Sequence, residues 1–116
     1  MASTEPGGRR IEDGTLSIAV RDDGSERVIE LFGELDAACV DTFREQVQAA
    51  LADRSRAVVI DLSGLDFIDS VGIEVIYRAN ERSRANGGSL RLVRGSPNVE
   101  RTLRLMGLDQ SLPFVD

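Results

Sequence analysis

The run Ala57-Val58-Val59-Ile60-Asp61-Leu62, followed by Ser63-Gly64-Leu65-Asp66-Phe67-Ile68-Asp69-Ser70-Val71-Gly72, decides the architecture. A short, continuous apolar segment rich in β-branched residues suits a central strand covered on both faces, as in parallel sheets. Beyond it Gly72, Val75, Ile76, Ala79 and Ser83 share one face of a helix that starts near Ser70, and Asn86-Gly87-Gly88 stops that helix. A strand feeding a helix of this length is one half of a crossover unit.

The flanks extend the same alternation. Upstream, Val40, Phe43, Val47, Ala50 and Leu51 recur at helical spacing, with Asp36 placed to cap that helix at its start. Further upstream Leu16, Ile18 and Val20 alternate with polar or small residues, and Val28-Ile29-Glu30-Leu31-Phe32 follows after Asp22-Asp23-Gly24-Ser25. Asp-Gly between two such runs is a hairpin signal. Downstream come a strand over Ser89-Leu90-Arg91-Leu92-Val93 and a helix opened by Ser96-Pro97, with Val99, Leu103 and Met106 on its face and Gly107 at its end. Leu112 to Val115 form a short apolar end piece. The order β-β-α-β-α-β-α predicts an α/β domain over residues 13–116: a mixed, mostly parallel four-stranded sheet with an N-terminal antiparallel hairpin and three or four helices. Residues 1–12 have no apolar periodicity and read as a flexible tail.

Composition removes whole classes of chemistry. The chain has 116 residues, one ordinary domain, and only 4% aromatics, so its core must be built from Val, Ile, Leu and Ala. There is no His, which excludes Ser-His-Asp and Cys-His hydrolysis, and the single Cys39 cannot form an intrachain disulfide. All 14 basic residues are Arg, so lysine-dependent phosphate loops and Schiff bases are absent too. A net charge of -6 argues against direct binding to nucleic acid or an anionic membrane and favours a basic partner surface. No apolar run approaches the ~20 residues of a membrane span, and the opening MASTEPGGRR lacks the apolar stretch of a signal peptide, so a cytoplasmic protein is expected.

Sites in parallel sheets gather at the carboxyl ends of the strands, which here carry Asp36, Asp66, Asp69 and Ser70. Together with Asp61 the carboxylates could suggest a magnesium pocket of the kind found in phosphoacceptor receiver domains. Such domains need five βα units and a lysine, and this chain has neither, so no metal or cofactor is expected. Ser70, at a helix N-terminus, is either a simple cap or a phosphorylation site, where a phosphoryl group would gain from free N–H groups and the helix dipole. Gly72 would leave the turn open to another protein's active site. Ile73 and Tyr77 project about 100° from the core face, either onto a neighbouring helix or as a partner-binding strip beside Ser70.

Gly33-Glu34-Leu35-Asp36, then Leu65-Asp66-Phe67-Ile68-Asp69-Ser70-Val71-Gly72-Ile73, then Gly88 to Val93, then Ser96-Pro97 with Val99, Leu103 and Met106-Gly107-Leu108, resemble the bacterial anti-sigma factor antagonists of the STAS domain family. The resemblance runs from about Thr15 to Phe114. It implies a non-enzymatic module whose serine in the Asp-Ser-x-Gly motif, Ser70 here, is phosphorylated by a cognate anti-sigma factor acting as a serine kinase and reset by a phosphatase. The unphosphorylated form would bind the kinase and free a sigma factor in a stress response. Asp36 matches the family aspartate beside the phosphoacceptor, with Asp66, Asp69 and Gly72 as site support. Val71 stands where relatives often have Ser, Thr or Ala, which leaves one hydroxyl in the motif; the segment after Leu108 is short for the family's final helix. The alternative implied by the same family is a regulatory subunit of a lipid or anion transport system.

Overall fold

The computed structural model describes residues 8–115. Its elements are β1 (Arg9–Asp13), β2 (Leu16–Asp23), β3 (Glu26–Leu35), α1 (Val40–Ala52), β4 (Ala57–Ile68), α2 (Ser70–Ala85), β5 (Leu90–Val93), α3 (Pro97–Leu105) and β6 (Phe114–Val115). The six strands lie in chain order across one sheet. The first two pairings are antiparallel and the last three parallel.

The hairpin stands where Asp23-Gly24 places it, with Asp23 paired to Glu26. Four strands were expected and six are present. Arg9 to Glu12, assigned to the tail from sequence, join Asp13 in β1 and pair along β2 as an edge strand; residues 1–7 of that tail lie outside the described residues. The end piece is also a strand, since Phe114 and Val115 pair with Leu92 and Val93. Both additions are edge strands, one charged and one two residues long, the forms that discourage pairing with other chains.

Each parallel step moves one strand in the same direction, so right-handed crossovers place all three helices on one face. Burial agrees: Leu16, Ile18, Val20, Ile29, Leu31, Val58, Ile60, Leu62, Leu90 and Leu92 form one core with Phe43, Val47, Ile76, Val99 and Leu103. The central strand is therefore covered by helices on one side, not on both as the apolar run suggested. On its other side Arg21, Val28, Val59 and Arg91 sit in one row across the sheet. The two valines are only 6% exposed, flanked by arginines whose guanidinium groups pair with Glu30 and Glu26. Apolar arginine stems lie over sheet while the charges stay in water.

β4 runs six residues past the apolar segment, to Ile68. Between Glu30↔Asp61 and Leu35↔Ile68 it uses seven steps against five on β3. Two bulges absorb the difference. The buried positions accordingly change spacing from Val58, Ile60, Leu62 to Leu65 and Ile68, and Asp61 accepts from the Ser63 N–H at the first irregularity (2.9 Å).

Gly33, beside these bulges, has φ +88, and a Cβ there would lie 2.1 Å from the Thr15 carbonyl oxygen. Gly33→Ala should lower unfolding free energy by about 3 kcal/mol or more, since left-handed strain and a backbone clash add. Gly14→Ala, at φ +60 with nothing within 4 Å, should cost only about 1 kcal/mol. Urea denaturation of the two variants measures the contrast.

Candidate functional site

The site forms where β3 and β4 end side by side. The Asp69 N–H donates to the Leu35 carbonyl (3.2 Å), so the chain leaves the sheet at Asp36 and Asp69 on neighbouring strand ends. Asp69 is the N-cap of α2: its Oδ1 accepts from the N–H groups of Val71 (3.1 Å) and Gly72 (3.2 Å). Its backbone carbonyl takes the next donor, Ile73 N–H (3.1 Å). Ser70 is thus the first helical residue, not the cap, and it is exposed. Because Asp69 already holds the Val71 and Gly72 amides, a group added to the Ser70 oxygen meets a carboxylate there instead of the open donors expected from sequence.

Asp36 does not cap α1. That helix begins four residues later, at Val40, and its N-cap Cys39 has no side-chain cap bond. Asp36 instead closes the intervening turn. Its Oδ1 accepts from Ala38 N–H (3.0 Å) and its carbonyl from Cys39 N–H (3.1 Å). The Cys39 thiol lies 3.6 Å from the Glu34 carbonyl and 3.6 Å from Asp36 Oδ1. Burial pushes that thiol above its ordinary range, and the Asp36 carboxylate adds to the shift. At neutral pH Cys39 is a protonated donor that steadies Asp36, a residue whose role the sequence left open.

Asp66 projects from β4 into solvent while its carbonyl accepts from Asn98 Nδ2 (3.0 Å), which ties the start of α3 to the site. Gly72 has a packing role, not the open-turn role expected. A Cβ on it would meet Leu35 Cγ and Cδ2 at 2.9 Å and Ile68 Cγ1 at 3.0 Å. Glycine lets α2 settle directly on the ends of β3 and β4. Among the described residues no group of three or more His, Cys, Asp or Glu side chains is gathered in a form that could hold a metal ion.

The expected strip of Ile73 and Tyr77 is corrected by half. Ile73 is 0% exposed, inside the core, and Tyr77 is 43% exposed. At the start of α2 the strand ends flank the helix, so its buried face widens to include Ile73 next to Gly72 and Ile76. The position beside Tyr77 is filled from α3. Ser70, Val71, Glu74, Tyr77, Met106 and Leu108 line a mainly apolar cleft of about 520 Å³. Met106 was assigned to the core face of α3, yet it is 41% exposed, and Leu105 is 77% exposed. Val99 and Leu103 already complete the buried face of that short helix, and this surplus of apolar residues at its end is the signal that marks the cleft.

The sequence profile of the STAS domain family matches residues 17–116. The anti-sigma-F factor antagonist RsfB of Mycobacterium tuberculosis is 30% identical over 97 residues, covering 84% of this chain and 79% of RsfB. An anti-sigma F factor antagonist of Paenibacillus polymyxa is 32% identical over 90 residues, 77% of each chain. The crystal structure of an anti-sigma factor antagonist from Mycobacterium paratuberculosis superposes with a TM-score of 0.79 at 27% identity, covering 89% of this chain and 87% of that one. Among the described residues no helix is long and apolar enough to cross a membrane.

Ile73→Ala should cost about 2–5 kcal/mol of stability, as for other fully buried aliphatic truncations. Asp69→Ala should cost about 1 kcal/mol, the loss of a helix cap. Thermal or urea unfolding of both checks that Ile73 belongs to the core and Asp69 to the helix end.

Proposed function

Because the chain belongs to the STAS domain family, and its relatives are anti-sigma factor antagonists, we propose that it binds a cognate anti-sigma factor serine kinase and releases a sigma factor, and that phosphorylation of Ser70 switches it off. A phosphatase restores the binding form. The observation that carries this reading is the state of Ser70: an exposed hydroxyl at the first position of α2, relieved of capping by Asp69 and bordered by an apolar cleft.

In the phosphorylation step the Ser70 oxygen attacks the γ-phosphorus of the ATP held by the kinase. The bond from that phosphorus to the ADP oxygen breaks, ADP leaves, and the hydroxyl proton passes to a base on the kinase. Asp36 and Asp69 shape the turn and take no proton. The protein works in the cytoplasm, where kinase and sigma factor meet.

The switch is electrostatic. Phosphate brings about -1.5 to -2 charges beside Asp69 and Asp36. One like-charge pair at ~5 Å costs from about 0.8 kcal/mol in bulk water to about 3 kcal/mol at an effective dielectric of ~20. Each 1.4 kcal/mol is tenfold in affinity. A kinase surface evolved to accept the neutral hydroxyl near bound nucleotide phosphates would feel the same repulsion, so several such pairs suffice for an on/off decision.

The cleft gives the partner its apolar foothold. Tyr77, Met106 and Leu108 place apolar area next to the modified oxygen, so contact and charge act on one interface.

Incubation with ATP and the cognate anti-sigma factor kinase should add one phosphate to the chain by intact mass, and none to Ser70→Ala. Ser70→Ala should stay folded and bind the kinase irrespective of ATP, whereas Ser70→Asp should bind at least tenfold more weakly; phosphate on Ser70→Ala would refute the assignment. Tyr77→Ala should weaken kinase binding by about 1–3 kcal/mol with stability changed by less than about 0.5 kcal/mol. Calorimetric titration and unfolding on that one variant separate the two effects.

A further inference from the structure

The end of the molecule opposite Ser70 holds a polar cavity of about 330 Å³ between the turn from α1 into β4 and the turn from α2 into β5. Arg82 lies twelve residues after Ser70 on α2, about 18 Å away at 1.5 Å per residue. Three guanidinium groups, Arg54, Arg56 and Arg82, and one carboxylate, Asp53, line it. That is a local excess of two positive charges in a chain of net charge -6.

The one carboxylate is already occupied. Asp53 accepts from the Ser55 N–H (3.0 Å) and hydroxyl (2.6 Å) and pairs with Arg56 (3.5 Å) and Arg27 (3.7 Å). Asp22 beside it is held by two bonds from Arg27. Arg56 pairs with Asp53 and with Asp22 (3.8 Å), which leaves Arg54 and Arg82 as the lining arginines without a carboxylate partner among the described residues. Arg56 Nε is buried without a hydrogen-bond partner among the described residues, a rare state for a charged group's donor. Arg82 has no ion-pair partner among the described residues, and Arg54 donates to the Asn86 carbonyl, which joins the two turns across the cavity mouth. Ser25 and Ser89 add hydroxyl donors to the walls.

We propose that this cavity binds a small phosphate-class dianion, inorganic phosphate or a phosphomonoester, through Arg54, Arg56 and Arg82. Guanidinium forks match the oxygens of such an ion in pairs. The charge excess of two matches a dianion. The volume leaves room beyond a bare phosphate for a small esterified group. The proposal stands independently of the kinase partner, since it uses none of the residues around Ser70.

The test is a titration of the full chain with inorganic phosphate at constant ionic strength, balanced with chloride and read by amide chemical shifts. Saturable shifts at Ser55, Gly87, Gly88 and Ser89, weakened at least tenfold in the Arg54→Gln/Arg82→Gln variant, support the site. Should the double variant fail to fold, Arg82→Gln alone, an exposed change on α2, serves the same comparison. A second arm sediments the protein with phosphatidylcholine vesicles containing phosphatidic acid: capture that the variant loses, without a response to free phosphate, assigns the phosphate to a lipid headgroup. Shifts that do not saturate, or that persist unchanged in the variant, overturn the proposal, as does silence in both arms.

Discussion

The parallel register between β3 and β4 governs the site. β4 carries two more residues than β3 over the stretch from Asp61 to Ile68, and the bulges that absorb them bring both strands to an end at one level. There the Asp69 N–H finds the Leu35 carbonyl, and Gly72 lets the first turn of α2 rest on Leu35 and Ile68 without a Cβ between them. Remove either condition and the helix start would rise from the sheet, taking Ser70 away from the ends of β3 and β4. The functional geometry is thus a consequence of backbone pairing and one close approach, not of a side-chain network.

That arrangement separates two roles usually combined in one residue. A serine at a helix start commonly caps it, and its hydroxyl is then tied to the backbone. Here Asp69 does the capping from the preceding position, and Ser70 is left exposed as the first helical residue. The division also sets the sign of the response. With the Val71 and Gly72 amides held by a carboxylate, negative charge added at Ser70 would meet repulsion before it met the dipole, so under the proposed switch phosphate would disturb the surface and not serve as a second cap.

Much of this was legible in the chain. Asp23-Gly24 between alternating runs marked the hairpin, and the Val58 to Leu62 run, the α1 core stripe, Val99 and Leu103 on α3 and the Ser96-Pro97 cap were each read from local pattern. The failures share a cause: neighbours distant in sequence overrode the local period. Arg9–Asp13 is charged and has no apolar alternation, because an edge strand can form by backbone pairing alone. The extension of β4 was hidden because each bulge shifts the buried positions by one, turning a period of two into a step of three. Ile73 looked peripheral on a helical wheel, yet at the start of α2 the strand ends wrap more of the helix than a flat sheet would. Asp36 was taken for a cap because its residue type fits; the turn through Ala37 and Ala38 delays the helix beyond its reach.

The net charge of -6 conceals a polar molecule. The Asp69 carboxylate caps α2 and Glu74 lines the cleft beside Ser70, whereas Arg54, Arg56 and Arg82 line the cavity at its far end. The Debye length at physiological salt is about 8 Å, less than half the ~18 Å between Ser70 and Arg82. Charge added at one end is therefore nearly invisible at the other by Coulomb interaction alone. Both α2 and β4 run between the two ends, and the buried face of α2, from Gly72 and Ile73 to Ser83, is locked into a close-packed core. Elements so held transmit displacement poorly unless they shift as a whole, so a partner would sense both ends together only by touching both.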